Sequence, residues 1–286
     1  MATSAKLWDA VSGPKHISGE AKLSLNDIAF LTCRGGWPKA ANYDAEAALI
    51  LSDAYYTGLV NSDISRVDNV NRNPVTTKRI LRSYARFQGQ QAPYEQIKSD
   101  IDSGEGITIS IDTVYDYINV LRKIFVIEDA PSWNPNLRSR VAIRTTDTRY
   151  FVDPSLATQA LGLRPADLIN DLNTFGLVFE CLCIRDLRVY ASAMGQTISH
   201  YRDSNGLECD AVVHSDNGKY GLIQIKLGSD EKSIAQAVEK LAEFDKTLDY
   251  DKMQRPAFKM VLCGNCPHAY RREDGIYVVP IGCLKP

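Results

Sequence analysis

The residues best suited to chemistry lie in "GLECDAVVHSDNGKYGLIQIKLG", Gly206 to Gly228. Asp210, Gln224 and Lys226 supply a carboxylate, an amide and an ammonium group there. Asn217-Gly218 signals a hairpin, because a two-residue turn of the favoured kind needs positive φ at both positions. Strand side chains alternate faces, so Ile223, Ile225 and Leu227 point one way and Gln224 and Lys226 the other. On the partner strand Cys209, Ala211 and Val213 take the apolar side, and Glu208 and Asp210 the polar side. Glu180, earlier in the chain, has Gly176, Leu177, Cys183 and Ile184 as helical neighbours. An acid in such surroundings requires a cation or a hydrogen-bond donor. Glu180, Asp210 and Gln224 offer the oxygen ligands that Mg²⁺ takes, and Lys226 could orient a water or stabilise charge at a phosphorus under attack. That chemistry is metal-dependent phosphodiester hydrolysis. The competing reading makes Asp210, Gln224 and Lys226 the polar side of a half-buried sheet, with Glu180 and Lys226 as a structural ion pair.

Other reactive types do not assemble into a motif. Cys263-Gly-Asn-Cys266 follows the strand-like "FKMVLC", but no second CxxC or HxxxH completes a zinc set, and Pro267 opposes the helix that a redox motif needs. The seven cysteines are unevenly spaced and read as reduced thiols. His16, His200, His214 and His268 are scattered. No GxxxxGK[ST] loop is present, so ATP binding by a P-loop is not expected of this chain. A composition of 44% hydrophobic and 24% charged residues is that of a globular chain, and no apolar run is long enough to span a bilayer. A cytoplasmic protein without membrane contact is expected. The net charge of −2 gives no global attraction to nucleic acid, so any such contact must use a local patch.

The elements that would position these residues fall into three stretches. Residues 1–45 are a lead-in around "SLNDIAFLTCRGGWPKA", with Ser24 able to cap a short helix over Leu25, Ile28 and Leu31. Residues 46–150 begin with a helix over 44–60. "PVTTKRILRSYARFQG" and "PYEQIKSDI" form two more helices, and "SIDTVYDYINVLRK" a third, capped by Ser110. β-rich "IFVIED" and "RYFVD" then flank an irregular tract. Three helices followed by a two-stranded ribbon is the winged-helix pattern. Residues 151–286 continue with a long helix over about 168–190, the strand "TISHYRD" and the hairpin quoted above. An amphipathic helix and the strands "FKMVLC" and "GIYVVPI" follow, with "HAYRREDG" read as loop. The expected fold class is mixed α/β: a helical winged-helix domain, then an α/β domain with a mixed central sheet.

The order Glu180, Asp210, Gln224-Ile-Lys226 resembles the PD-(D/E)xK, or restriction-endonuclease-like, fold. More closely, the chain resembles the C-terminal region of prokaryotic AAA-type ATPases carrying domain of unknown function 4143. "RGGWPKA" (34–40), "SDISR" (62–66), "TVYDYINVLRKIFVI" and "PSWNPNLRSR" carry the likeness, followed in order by "RYFVDPSLA", "GLVFE", "YRDSNGLECDAVV" and "LIQIKLG". The resemblance implies Glu180, Asp210, Gln224 and Lys226 as catalytic positions, the first three holding Mg²⁺. Two departures stand out. The ATPase module with Walker motifs does not precede these segments, so an excised fragment or a natural short form is expected. Gln224 stands where the family commonly has Glu, which keeps an oxygen but removes a charge that attracts the metal.

Three functions follow as expectations. The first is a nucleic-acid-binding or regulatory module of an ATPase-family protein with a degenerate nuclease site. The second is an active Mg²⁺-dependent DNA nuclease. The third is a protein-interaction module needing no DNA. DNA would meet Arg122 and Lys123 on the third helix and Arg138, Arg140 and Arg144 on the wing, although Asp112 and Asp116 oppose phosphate. Trp37, Tyr43, Tyr55 and Tyr56 are the aromatics suited to docking an ATPase module or to homo-oligomer formation.

Overall fold

The computed structural model describes residues 5–6, 19–104, 108–134, 146–203 and 205–285. The fold is mixed α/β and divides into two units: a helical one, Asn26–Asp129 with Thr146–Leu182, and a sheet-containing one, Met1–Leu25, Ala130–Thr145 and Cys183–Pro286.

In the helical unit α1 spans Leu25–Arg34 and α2 Ala45–Gly58, which runs through a π-helical turn, Leu59–Asp63, into the short α3, Ile64–Arg66. Then come α4 (Pro74–Arg86), α5 (Tyr94–Asp102), α6 (Ile111–Lys123), α7 (Pro154–Leu161) and α8 (Pro165–Asn170). The long α9, Leu172–Ser192, crosses the division between the units. Local chemistry sets the starts. Asp44, Asn73, Ser110 and Asp153 each accept a backbone N–H from the first turn, and Pro74 and Pro154 occupy positions where no N–H is needed. Pro93 is the residue before α5, one place earlier than expected. The buried stripes are Ile80, Leu81 and Tyr84 on α4, Ile97 and Ile101 on α5, and Val114, Ile118 and Leu121 on α6.

One reading of the sequence changes here. The helix expected over 168–190 is broken at Asp171, which leaves helical geometry and accepts the amides of Asn173 and Thr174, so it starts α9 as a cap. Of the ribbon expected after α6, the described residues hold the antiparallel bridge of Ile127 with Phe151, flanked by the bonds Glu128 N to Tyr150 O and Val152 N to Val126 O, and residues 135–145 of the expected wing lie outside the described residues. Beyond it, Pro131–Trp133 leave the helical unit and join the sheet. Ser132 bridges His200, and Trp133 N donates to His200 O at 2.6 Å. The Trp133 ring lies 5.0 Å from that of Tyr220. The indole is half-buried there.

The "RGGWP" segment is held inside the helical unit. Gly35 has φ of +76°, and a Cβ there would lie 2.4 Å from Asp153 Oδ1 and 2.6 Å from Ser155 Oγ. Only glycine fits. Gly36 N donates to Asp153 Oδ2 at 2.8 Å, Trp37 Nε1 donates to Ser155 Oγ at 2.9 Å, and the Trp37 ring meets Tyr55 at 4.3 Å. Trp37 is thus engaged within the chain, as is the buried Tyr56, while Tyr43 is exposed.

In the sheet unit the described strands are β1 (Ala5–Lys6), β2 (Gly19–Glu20), β3 (Gln196–Arg202), β4 (Glu208–Ser215), β5 (Tyr220–Lys226), β6 (Phe258–Cys263), β7 (His268–Arg271), β8 (Tyr277–Pro280) and β9 (Leu284–Lys285). The helix α10, Glu231–Thr247, separates β5 from β6. β1 pairs with β9, and the others form a seven-stranded sheet in the order β2-β7-β8-β6-β5-β4-β3. β3, β4 and β5 are an antiparallel meander, and β5, β6 and β8 run parallel. The central runs "YGLIQI" and "MVLC" are continuously buried, as parallel strands covered on both faces must be. "HAYR", expected as loop, is β7, paired antiparallel with β8 through Tyr270 and Val278. Among the described residues no helix is long and apolar enough to cross a membrane.

Candidate functional site

The site is built on β4 and β5. The hairpin between them is real, with His214 opposite Tyr220, but its turn is not the two-residue kind. Gly218 has φ of +80°, whereas Asn217 is not in the left-handed region, and the bonds Gly218 N to Ser215 O and Ser215 N to Lys219 O close a three-residue loop. A type I turn followed by a left-handed glycine gives the same reversal at one positive φ instead of two.

The side expected to be polar is not solvated. Tyr220 and Leu222, which share the parity of Gln224 and Lys226, sit in a buried cluster with Val212 of β4 and Ile234, Ala237, Leu241 and Phe244 of α10. Cys209 joins this cluster too, against the expected alternation. Gln224 therefore has 0% exposure. A buried amide must be hydrogen-bonded. Gln224 Nε2 donates to Asp210 Oδ1 at 2.8 Å, and Ile225 N donates to Asp210 Oδ2 at 2.7 Å. Gln224 Oε1 is buried without a hydrogen-bond partner. The amide orientation follows from chemistry, because turning it would set oxygen against carboxylate oxygen.

Burial pushes the Asp210 carboxyl up to about 6, against the opposing pull of the Ile225 amide and the Lys226 and Lys240 charges, while Glu208 pushes it further up. Lys226 is half-buried at the end of β5. Glu208, two residues before Asp210, forms an ion pair with Lys240 Nζ of α10 at 2.6 Å and lies 3.7 Å from Arg202 Nη1. Lys240 was not singled out from the sequence. It is one polar position among several on an amphipathic helix, and only the packing of α10 over β4 selects it.

Glu180 belongs to the helical unit, where its Oε1 accepts the hydroxyl of the buried Tyr150 and lies 3.0 Å from the place a Cβ on Gly89 would take. The donor is thus a tyrosine, which the helical neighbours of Glu180 could not reveal.

The donor set on β4 and β5 does not fit a resident Mg²⁺. It offers one carboxylate, already accepting from an amide on each oxygen, and one neutral amide oxygen, beside a lysine. Mg²⁺ needs near-octahedral oxygen coordination anchored by charge. Among the described residues no group of three His, Cys, Asp or Glu side chains could hold a metal.

Of the residues expected to meet nucleic acid, Arg122 donates to Asp129, whose carboxylate also takes the Tyr84 hydroxyl and, at 2.7 Å, Arg149 Nη1. Asp129 is 3% exposed and Arg149 6%, so Arg122 belongs to a buried ion cluster. Asp116 is similarly held by the buried Arg72 at 3.0 Å. Lys123 is exposed. Arg138, Arg140 and Arg144 lie outside the described residues. None of the seven cysteines is in a disulfide, and burial raises the Cys263 thiol.

The family model for Domain of unknown function (DUF8612) matches residues 25–167, half of the chain. The chain belongs to the DUF8612 family. A second model, Domain of unknown function (DUF4143), matches residues 175–284, which hold β3 to β8 and the Asp210–Gln224–Lys226 set. No curated protein and no solved structure matches the chain. The DUF8612 match contains the helices from α1 to α7 together with the Asp129 cluster, and it ends inside α8.

Proposed function

We propose that this DUF8612-family chain is a nucleic-acid-binding or regulatory module of an AAA-type ATPase protein, and that its PD-(D/E)xK-like constellation no longer cuts. The observation that carries this reading is the 2.8 Å bond from Gln224 Nε2 to Asp210 Oδ1. With glutamate at 224, two carboxylates would face each other there and would need a cation or a shared proton between them. The amide replaces the cation by a hydrogen bond, so the Asp210 carboxylate is held without metal. On this reading α4, α5, α6 and the Ile127–Phe151 bridge are a winged helix, and nucleotide-driven movement of the ATPase module would act through both units. Gln224→Glu should lose about 2–3 kcal/mol in metal-free urea unfolding and recover most of it in saturating Mn²⁺, while the wild type is indifferent to Mn²⁺. Equal responses of both proteins to the metal would sink the substitution argument.

One observation favours an active nuclease instead: the buried, unpartnered Gln224 Oε1 is an oxygen suited to a metal. Incubation with linear, nicked, branched and single-stranded DNA under Mg²⁺ and Mn²⁺ separates the readings. Cleavage by the wild type, lost in both Asp210→Ala and Lys226→Ala with the fold retained, would replace the non-cutting module by an enzyme.

A further inference from the structure

We propose that the helical unit holds a docking groove for a short acidic peptide segment carrying a large apolar side chain. A depression of about 400 Å³ lies beside α4, with Leu161, Leu163, Leu177 and Val178 as its floor and Arg82 and Arg86 on its rim. The three leucines are half-buried, so they present wet apolar surface that a leucine, methionine or phenylalanine side chain would cover. On the other side of the same two arginines is a polar depression of about 340 Å³, reaching Arg79, Asp100 and Ser103. Arg79, Arg82 and Arg86 recur at helical spacing, so α4 carries a basic ridge between an apolar and a polar hollow.

Charge decides the occupant. Arg82 is exposed and makes no ion pair among the described residues. Arg86 is paired with Asp100 at 3.2 Å, but with 60% of its side chain exposed it can share a second carboxylate. Guanidinium groups take carboxylates in a bidentate fork, which suits Asp or Glu residues flanking the buried apolar side chain. Single-stranded nucleic acid fits less well. It binds on aromatic stacking platforms, and neither hollow is lined by an aromatic ring. A contact of this size gives a weak, reversible complex, with Kd on the order of 1–100 μM. The groove shares no residue with the Asp210–Gln224 pair, so it stands whether or not that pair is catalytic.

The test is selection of random twelve-residue peptides on the full chain, with Arg82→Glu as the counter-target. Arg82→Glu alters an exposed side chain, and an unchanged melting curve would verify its fold. Retained peptides should place Asp or Glu within a few residues of Leu, Met or Phe. In fluorescence anisotropy the best of them should lose at least about tenfold in affinity on both Arg82→Glu and Leu177→Gln. Peptides that bind both variants as well as the wild type, a selected set without acidic residues, or no peptide preferring the wild type would each overturn the groove. So would a single-stranded oligonucleotide that binds the wild type more tightly than every selected peptide and is lost in the same variants.

Discussion

At Asp210 burial and hydrogen bonding pull in opposite directions, and burial is the larger effect. Its carboxyl titrates near 6 in the folded chain against 3.8 for an ordinary aspartate, so the folded state holds this proton more tightly than the unfolded chain. Stability from this group is then full below about pH 4 and is lost as pH rises through about 6. Asparagine at this position removes the titration. Its oxygen can still accept from Ile225 N, and a turned Gln224 amide can accept from its nitrogen, satisfying the orphaned Oε1. Asp210→Asn should therefore gain about 1–2 kcal/mol over the wild type at neutral pH, and nothing near pH 4, in urea unfolding at the two pH values. An asparagine variant with the same pH dependence as the wild type would show that folding does not raise the Asp210 carboxyl. Gln224 and Lys226 were legible as a pair from their two-residue spacing. That Asp210 takes its second donor from the main chain of Ile225 was not, because backbone donors leave no mark in composition.

Among the elements, Asp129 ties three together: Tyr84 of α4, Arg122 of α6, and Arg149 beside the Ile127–Phe151 bridge. The carboxylate and the Arg149 guanidinium are both out of water, so neither tolerates loss of the other. Asp129→Asn should cost about 3–5 kcal/mol in chemical denaturation, whereas Arg122→Gln, at a half-exposed partner, should cost about 1 kcal/mol. A loss under about 1 kcal/mol for Asp129→Asn would mean that water reaches the cluster. The helices themselves could be read from caps and stripes, with Ser110 the clearest case. The departure of Pro131–Trp133 could not, since Trp133 meets His200 and Tyr220 of the sheet, far along the chain.

For the whole molecule, a net charge of −2 means that, on the proposed nucleic-acid-binding reading, any DNA affinity must come from a few local cations. Binding of a DNA duplex should therefore fall steeply with salt, and the Arg138→Ala, Arg140→Ala, Arg144→Ala triple variant should weaken it for all sequences. The slope of log K against log salt should fall by roughly 0.9 for each phosphate contact removed. Arg122→Gln should leave affinity unchanged, because that guanidinium is committed to Asp129. Equal binding and equal slope in the triple variant, measured by anisotropy across a salt series, would remove the arginine-rich tract from nucleic-acid contact.

The sequence by itself determined the mixed α/β class, the caps and apolar stripes of the helices, the β4–β5 hairpin and the juxtaposition of Asp210 with Gln224. These are set by neighbours a few residues apart, through helical periodicity, strand alternation and turn chemistry. The tertiary structure decided which faces are wet. It buried Gln224 beside a cluster completed by α10, moved Pro131–Trp133 to the sheet, held Trp37 against Ser155 and Tyr55, and committed Arg122 to Asp129. Each of these turns on residues far apart in sequence, where burial of surface and pairing of desolvated charge outweigh local preference.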